Sequence, residues 1–526
     1  MVAHSAADVE PGPGERDDSP EPGPRSTPWA VRALLLYIAL LPVHSLLIAV
    51  LLTHAGVPVP MLRALAAWKE VLLLAIVLAL AGGIIVRREP PPLVWVDAIA
   101  LAWFIQVLLY LGLRDLFVSR SLGLAASLYG ARDWLLYVVP YVIGRLIVVS
   151  DRDLTMVFRT LLAMGALTSA AGILEYLFVP TRWHLEIGIP RYFGEFLNLQ
   201  YPGTLGLPTN YWQYVRGHLV RRAVSVHLSP QAFALSFLLL WPLCLLNLRA
   251  RWTRIRTLLV ALNGVALLLT LTRMTIAVCF LQGLMVLWMI GRRYLLLVCL
   301  AVAVTAAALF MGGSILLRTE SPTAPAPKSG PLITFNELSV RNMVRKTLLL
   351  QDGSSKVRAR QWIEGWRTLR EHPAGLGLGS TGNTSGRLGG GGMGNDAGYL
   401  KVAGALGAPG LLIFLGWFFG IVVASAAVSR VTDGPWQGLG FLTLATAVGW
   451  LVNDLTAPPD QSLFLSYVFP WLAGMTVSRW AQLRAAGTVA RYSETERRPP
   501  TPSPASPPPA STYRGFARAL KQLSIA

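Results

Sequence analysis

One stretch of this chain places arginine, tryptophan and glycine at spacings that could bind an anion. Arg358 and Trp362 are four residues apart, so they lie on the same side of one turn if the stretch is helical. Pro373 ends that helix and is followed by Gly375, Gly377 and Gly379. Arginine is a permanent cation that grips phosphate through two N–H groups, and glycines let backbone N–H groups approach a ligand. The pattern predicts a phosphate or pyrophosphate site.

A carboxylate follows this stretch. Asp396 stands just before an apolar run that begins at residue 400. It could act as a general base toward a hydroxyl group or cap the helix that follows, and the residues alone leave both roles open. Gly377 to Gly382 spells G-x-G-x-x-G, but no strand precedes it, which argues against a dinucleotide site. No DxD or His-rich cluster offers a convincing metal site, so we expect no metal and no cofactor.

The composition indicates which elements position these residues. The chain has 526 residues, of which 54% are hydrophobic and 14% charged, and this nearly excludes a soluble enzyme. Several apolar runs approach the ~20 residues that a helix needs to cross a bilayer. The expected fold class is an all-α polytopic membrane protein. Its pI of 10.3 does not imply nucleic acid, because in such a protein the placement of charge matters more than its sum.

The apolar runs predict about twelve transmembrane helices between two tails. The first tail, 1–28, and the last, 479–526, are rich in proline and predicted to be disordered and cytoplasmic. The spans form three groups, 29–178, 230–317 and 400–478, separated by long loops at 179–229 and 318–399. The individual spans are 29–53, 70–86, 93–113, 133–149, 155–178, 230–248, 257–272, 274–291, 294–317, 400–428, 437–456 and 461–478.

Basic residues in the short loops predict the orientation. Arg87 and Arg88, four arginines between 249 and 256, Arg292 and Arg293 all fall on one side of a twelve-span chain. Because Lys and Arg favour the cytoplasmic side, both termini should be cytoplasmic and both long loops external. The second loop should be partly helical, over 337–372.

Lys and Arg outnumber Asp and Glu in both long loops. These arginines either bind an anionic ligand or pair with lipid head groups, and the sequence favours neither. Arg273, between two spans, either lines a pyrophosphate pocket or snorkels to the membrane surface. Asp97 and Arg145 lie near the cytoplasmic ends of their spans, where a structural role is expected.

These motifs resemble the bacterial O-antigen ligase and Wzy-type polymerase superfamily over roughly residues 215–430. The external loop of that family carries an Arg, a Trp four residues later and a Pro eleven beyond that, before a G-x-G-x-G stretch. Further resemblance lies in Arg222 ahead of Ser229-Pro-Gln-Ala-Phe233, and in Gly394-Asn-Asp-Ala-Gly-Tyr399-Leu400 before Gly407-Ala-Pro-Gly410. Ligases of the family typically carry a His-Asn pair where Asn395-Asp396 stands here, so this chain looks more like a polymerase.

The resemblance implies a GT-C-like glycosyltransferase in the bacterial inner membrane. Its substrate would be an undecaprenyl-pyrophosphate-linked oligosaccharide, transferred to a sugar hydroxyl with inversion, and a flippase and chain-length regulators would be candidate protein partners. Asp396, Arg358 and Arg222 are the implied catalytic residues. The expected substrate-binding residues are Arg216, Arg221, Arg273, Arg360, Trp362, Gly377, Gly379, Asn395 and Tyr399.

Two alternatives stay open. Within the enzyme class, the chain could attach glycan to lipid A core or to protein. In another class, many spans with charged residues also fit a transporter or flippase, although carriers commonly show paired repeats with broken helices, which this sequence lacks.

Overall fold

The computed structural model describes residues 27–87, 92–117, 122–199, 203–215, 218–250, 253–290, 353–387 and 397–487. Its long helices before the second loop are α1 (Pro28–Thr53), α3 (Trp68–Arg87), α4 (Trp95–Gly112), α5 (Gly123–Leu146), α6 (Asp151–Phe178), α9 (Pro230–Ala250), α10 (Arg254–Leu269) and α11 (Arg273–Ile290). Those that follow are α12 (Gly353–Glu371), α14 (Gly398–Val431), α15 (Gly434–Asn453) and α16 (Leu463–Ala485). Short helices are α2 (Val59–Ala66), α7 (Thr181–Glu186), α8 (Ile189–Arg191) and α13 (Gly382–Arg387).

Two small hairpins occupy the first long loop. They pair β1 (Gly203–Thr204) with β2 (Leu207–Pro208) and β3 (Trp212–Val215) with β4 (His218–Arg221), both antiparallel. Trp212 donates its indole N–H to the carbonyl of Thr204 at 2.8 Å, which ties the two hairpins together. The loop therefore has a folded structure that delivers Arg221 and Arg222 to the start of α9.

The helices have the lengths and surfaces of a membrane protein. Within the described residues, six candidate spans are long and apolar enough to cross a bilayer. Exposed apolar side chains on α3 recur at helical spacing, with Val71, Leu74 and Leu78 at 64%, 59% and 62% exposure. Such a stripe is costly in water and suited to lipid. The prediction of an all-α polytopic membrane protein is confirmed.

The core lies where α5 crosses α16 and where α14 packs on α15. A Cβ on Gly474 would clash with the carbonyl of Tyr141, so only glycine permits this backbone approach. Fully buried aromatic side chains fill the surrounding space: Trp103, Trp417, Trp450 and Trp471. The central helices are thus closely packed beneath the loops.

Long helices coincide with all the predicted spans except 294–317, which lies outside the described residues, as does 337–352 of the expected loop helix. Two boundaries differ from the predictions. Helix α5 begins at Gly123 rather than near 133, because Ala126 and Gly130 pack closely against the backbone of Gly379. Helix α16 continues to Ala485, so residues 479–485 of the expected tail are helical.

The loops gather at one end of the bundle, here called the long-loop end. It holds the last residues of α4, α6 and α10 and the first residues of α5, α11 and α14. At the opposite end, Arg145 pairs with Asp97 at 2.7 Å. This agrees with the structural role expected for that pair.

Candidate active site

Three of the predicted arginines converge at the long-loop end. Burial, followed by the positive charges of Arg273 and Arg358, lowers the pKa of Arg222 to about 10. Arg222 still keeps its proton at neutral pH, so the cluster holds concentrated positive charge. We call Arg222, Arg273 and Arg358 the arginine cluster.

The surroundings of Arg222 explain how it is held. Its guanidinium donates to the carbonyls of Thr270 at 2.7 Å and Asn210 at 2.8 Å, and to the hydroxyl of Thr272. All three acceptors are neutral oxygens, so they orient the side chain without cancelling its charge. An anion is the partner that such an arrangement favours.

The neighbouring Arg221 lies in different surroundings. Its guanidinium donates to the Glu175 carboxylate at 2.8 Å and to the carbonyl of Val179 at 2.7 Å, and its side chain is 1% exposed. Glu175 also accepts from the backbone N–H of Val224 at 3.1 Å and pairs with His184. Arg221 therefore fastens the first loop to α6 and does not join the arginine cluster, although it was expected to bind substrate.

Helix α12 carries Arg358 and is docked on α14 and on the loop after α15. The indole N–H of Trp362 donates to the carbonyl of Leu455 at 3.1 Å. A Cβ on Gly365 would lie 2.7 Å from Leu400, so the helices touch closely there. Trp362 thus fixes the position of Arg358. Arg360 faces away from this contact, is 81% exposed and pairs with Glu364 at 3.3 Å.

The glycine turn has a different role from the expected one. Gly375, Gly377 and Gly379 all adopt positive φ, of 82°, 95° and 81°. The N–H groups of Leu376 and Gly377, however, donate to the carbonyls of Gly404 and Ala405 at 2.7 and 3.1 Å. These carbonyls lie just before Gly407, where α14 departs from helical geometry. The turn packs between α14 and α5. The N–H groups of Leu376 and Gly377 already donate to protein carbonyls, so they are not available to a phosphate.

A group of acidic residues lies at the same end of the bundle as the arginine cluster. Asp133 accepts from Thr384 at 2.7 Å, and Asp460 pairs with Lys401, whose ammonium group lies 5.1 Å from the centre of the Trp134 ring. We call Asp133, Asp454 and Asp460 the acidic group.

Asp454 lies at the junction between the end of α15 and the start of α14. Its carbonyl accepts from the N–H of Gly398 at 2.8 Å, and its carboxylate lies against the same glycine at the start of α14. The preceding Asn453 accepts from Thr275, two residues beyond Arg273, at 3.0 Å. Burial and the charge of Asp460 raise the pKa of Asp454 well above its usual range.

The sequence reasoning did not single out Asp454, Asp460 or Lys401. A signal was present for Asp460, which lies in the short loop between the predicted spans 437–456 and 461–478, on the same side as the long loops. Asp454 falls in the last turn of the first of these predicted spans, and the helix ends just before it, at Asn453. Tyr399 lies nearby, but its hydroxyl donates to the carbonyl of Leu451 at 2.5 Å. Arg216, Asn395 and Asp396 lie outside the described residues.

One comparison with known protein families found a match. Residues 258–415 match the model of the Wzy_C family, described as O-antigen ligase. This range is similar to the O-antigen ligase family and supports the resemblance to the O-antigen ligase/polymerase superfamily. The matched range contains Arg273, Arg358, Trp362 and the glycine turn, while Arg222 and Asp454 flank it. No curated protein matches the chain.

The match supports an O-antigen ligase-like membrane glycosyltransferase domain within residues 258–415. The arginine cluster combines residues from inside and outside the matched range. Arg222 of the arginine cluster therefore comes from the first long loop, outside the matched range.

Proposed function

We propose that this protein is a polysaccharide polymerase that transfers glycan from undecaprenyl pyrophosphate to a sugar hydroxyl on the outer face of the bacterial inner membrane. The observation that carries the proposal is the convergence of the three arginines, with Arg222 bonded to neutral oxygens. A pyrophosphate leaving group bears two to three negative charges, and fixed guanidinium groups stabilise that charge as it develops.

The chemical step needs a proton acceptor besides the cations. The acceptor oxygen forms a bond to the anomeric carbon of the donor glycan as the bond from that carbon to the pyrophosphate oxygen breaks. The pyrophosphate leaves with the electron pair, and the hydroxyl proton passes to a carboxylate. We assign this role to Asp396, two residues before Gly398, against which the Asp454 carboxylate lies.

Polymerisation is preferred to ligation because Asn395-Asp396 stands where ligases of the family carry His-Asn. The alternative acceptors are lipid A core and protein. The domain match favours this enzyme class over a transporter.

Gel analysis of surface polysaccharide from a deletion strain tests the assignment. Loss of a polymerase should leave a single repeat unit on its acceptor. Full-length polymer stranded on undecaprenyl pyrophosphate would instead identify a ligase, and unflipped repeat units confined to the cytoplasmic face would identify a flippase. Complementation with the wild-type gene, but not with Arg358→Lys, should restore long chains.

A further inference from the structure

A second group of cations lies at the long-loop end, on helices other than those of the arginine cluster. It consists of Lys69 at the start of α3, Arg132 on α5 and Arg387 at the end of α13. We call these three residues the second cationic group. Lys69 is 3% exposed, and Arg387 is close enough to act on it electrostatically.

Within the described part of the chain, the negative charge near this group does not balance it. Glu70 accepts from Arg132 at 2.9 and 2.5 Å and lies 3.3 Å from Lys69, so one carboxylate serves two cations. Asp133 also acts on Arg132, but it accepts from Thr384 and acts on Lys401 as well. Buried cations in excess of their counter-charges are costly unless an anion joins them.

Arg387 shows where an anion would bind. Its Nε atom is buried and has no hydrogen-bond partner among the described residues. Its backbone carbonyl accepts from the side chain of Asn198, which fixes its position against the first long loop. Buried guanidinium N–H groups are normally paired, so an unpaired one indicates a missing acceptor.

The second cationic group adjoins an apolar stripe on α3 that begins after Glu70, the carboxylate that pairs with Lys69 and Arg132. Glu70, Leu74 and Leu78 recur every four residues on α3, and the two leucines are 59% and 62% exposed. A polyprenyl chain could lie along this stripe while its charged head group reached Lys69 and Arg387. Thr384, which bonds Asp133 of the acidic group, is one turn from Arg387 on α13.

We propose that Lys69, Arg132 and Arg387 bind the pyrophosphate of a second lipid-linked glycan, the acceptor, while the arginine cluster binds that of the donor. This inference rests on the proposed function, because only a transferase that joins two lipid-linked glycans needs two such sites. Asp133 of the acidic group acts on Arg132, and Asn453, next to Asp454, accepts from Thr275, two residues beyond Arg273. The acceptor hydroxyl would meet the donor near this group.

Native mass spectrometry of the full-length protein with undecaprenyl pyrophosphate tests the second site. This probe carries no sugar, so binding is measured without turnover. The wild type should bind two molecules, and Arg387→Gln should bind the second about 10- to 100-fold more weakly, as expected for loss of a charge-assisted hydrogen bond. Arg370→Gln, which removes an exposed cation of the same loop, is the matched control and should bind two.

A second variant separates ligand binding from a purely structural role. Glu70→Gln removes the shared counter-charge, so it should tighten binding of the second molecule. If Glu70 only held the helices together, that variant would lose stability with no gain in affinity, and the inference would be overturned. Two tightly bound molecules in Arg387→Gln would overturn it as well.

The remaining outcomes distinguish this inference from the proposed function. Arg222→Gln should lose the first molecule and keep the second, whereas retention of both would contradict the donor assignment itself. Phosphatidylglycerol should not displace the second molecule at equal concentration. Equal displacement would identify the second cationic group as a contact for ordinary membrane lipid and would overturn the acceptor site.

Discussion

Arg221 and Arg222 are consecutive in the chain and have opposite electrostatic surroundings. Arg221 is neutralised by the Glu175 carboxylate, while Arg222 donates to neutral oxygens and lies near two further arginines. Arg221 thus anchors the first long loop to α6, and Arg222 contributes positive charge to the arginine cluster. The two residues should respond differently to substitution.

Arg221→Met should destabilise the protein, because it leaves Glu175 and His184 buried without their cation. Removing one partner of a buried pair typically costs about 3–5 kcal/mol. Thermal unfolding of the purified protein in detergent measures this loss. Arg182→Met is the matched control, since Arg182 pairs with Glu186 on the surface at 86% exposure, and it should leave the unfolding temperature nearly unchanged.

Gly379→Ala should disrupt the contact between the glycine turn and α5. The φ of 81° costs an alanine about 1–2 kcal/mol, and the new Cβ would also clash with the carbonyl of Ala126. We expect a lower unfolding temperature. Gly82→Ala, within α3 and with nothing within 4 Å of its Cβ, should instead be neutral or stabilising by about 0.5–1 kcal/mol. Equal effects of the two changes would contradict the packing role.

The stability of the protein should depend on pH through Asp454. Its pKa is raised in the folded state, so the protonated form is favoured there. This stability is fully present below the unfolded pKa of about 3.9 and is lost as the pH rises toward the folded pKa. Asp454→Asn mimics the protonated form and should flatten that part of the curve of unfolding temperature against pH. A curve identical to that of the wild type would show that Asp454 does not titrate as described.

The orientation is a prediction that reporter fusions can check. A reporter near Gly390 should be periplasmic and one near Arg254 cytoplasmic, because the basic short loops all fall on one side. The helices agree, since α12 and the end of α10 lie at the same end of the bundle. A cytoplasmic reporter at position 390 would place the arginine cluster away from the externally facing glycan.

The sequence allowed much of the fold and part of the site to be predicted. Hydropathy located the long helices because each must match the bilayer thickness. Arg358, Arg273 and Arg222 were found from motif and charge, and the structure brings them together. Charge alone could not separate Arg222 from Arg221, because the distinction depends on Glu175 reaching one of them across the fold.

Other features depend on contacts that no local pattern encodes. The glycine turn had the flexibility for a phosphate loop, yet its amides satisfy the carbonyls left free where α14 departs from helical geometry at Gly407. Asp454 becomes part of the site only because α15 ends beside the start of α14. The hydropathy pattern also did not predict the first turns of α5. Their small residues Ala126 and Gly130 pack against the backbone of Gly379, a contact that hydropathy does not reflect.

The central claim is that the arginine cluster stabilises the pyrophosphate leaving group. The most direct measurement is the rate of glycan transfer by purified Arg222→Lys in proteoliposomes, with Arg370→Lys as the control for an exposed cation of the second loop. Lysine keeps the charge but loses the forked donor geometry, so transfer should fall about 10²–10³-fold while the control stays at the wild-type rate. Transfer by folded Arg222→Lys at the wild-type rate would contradict the account.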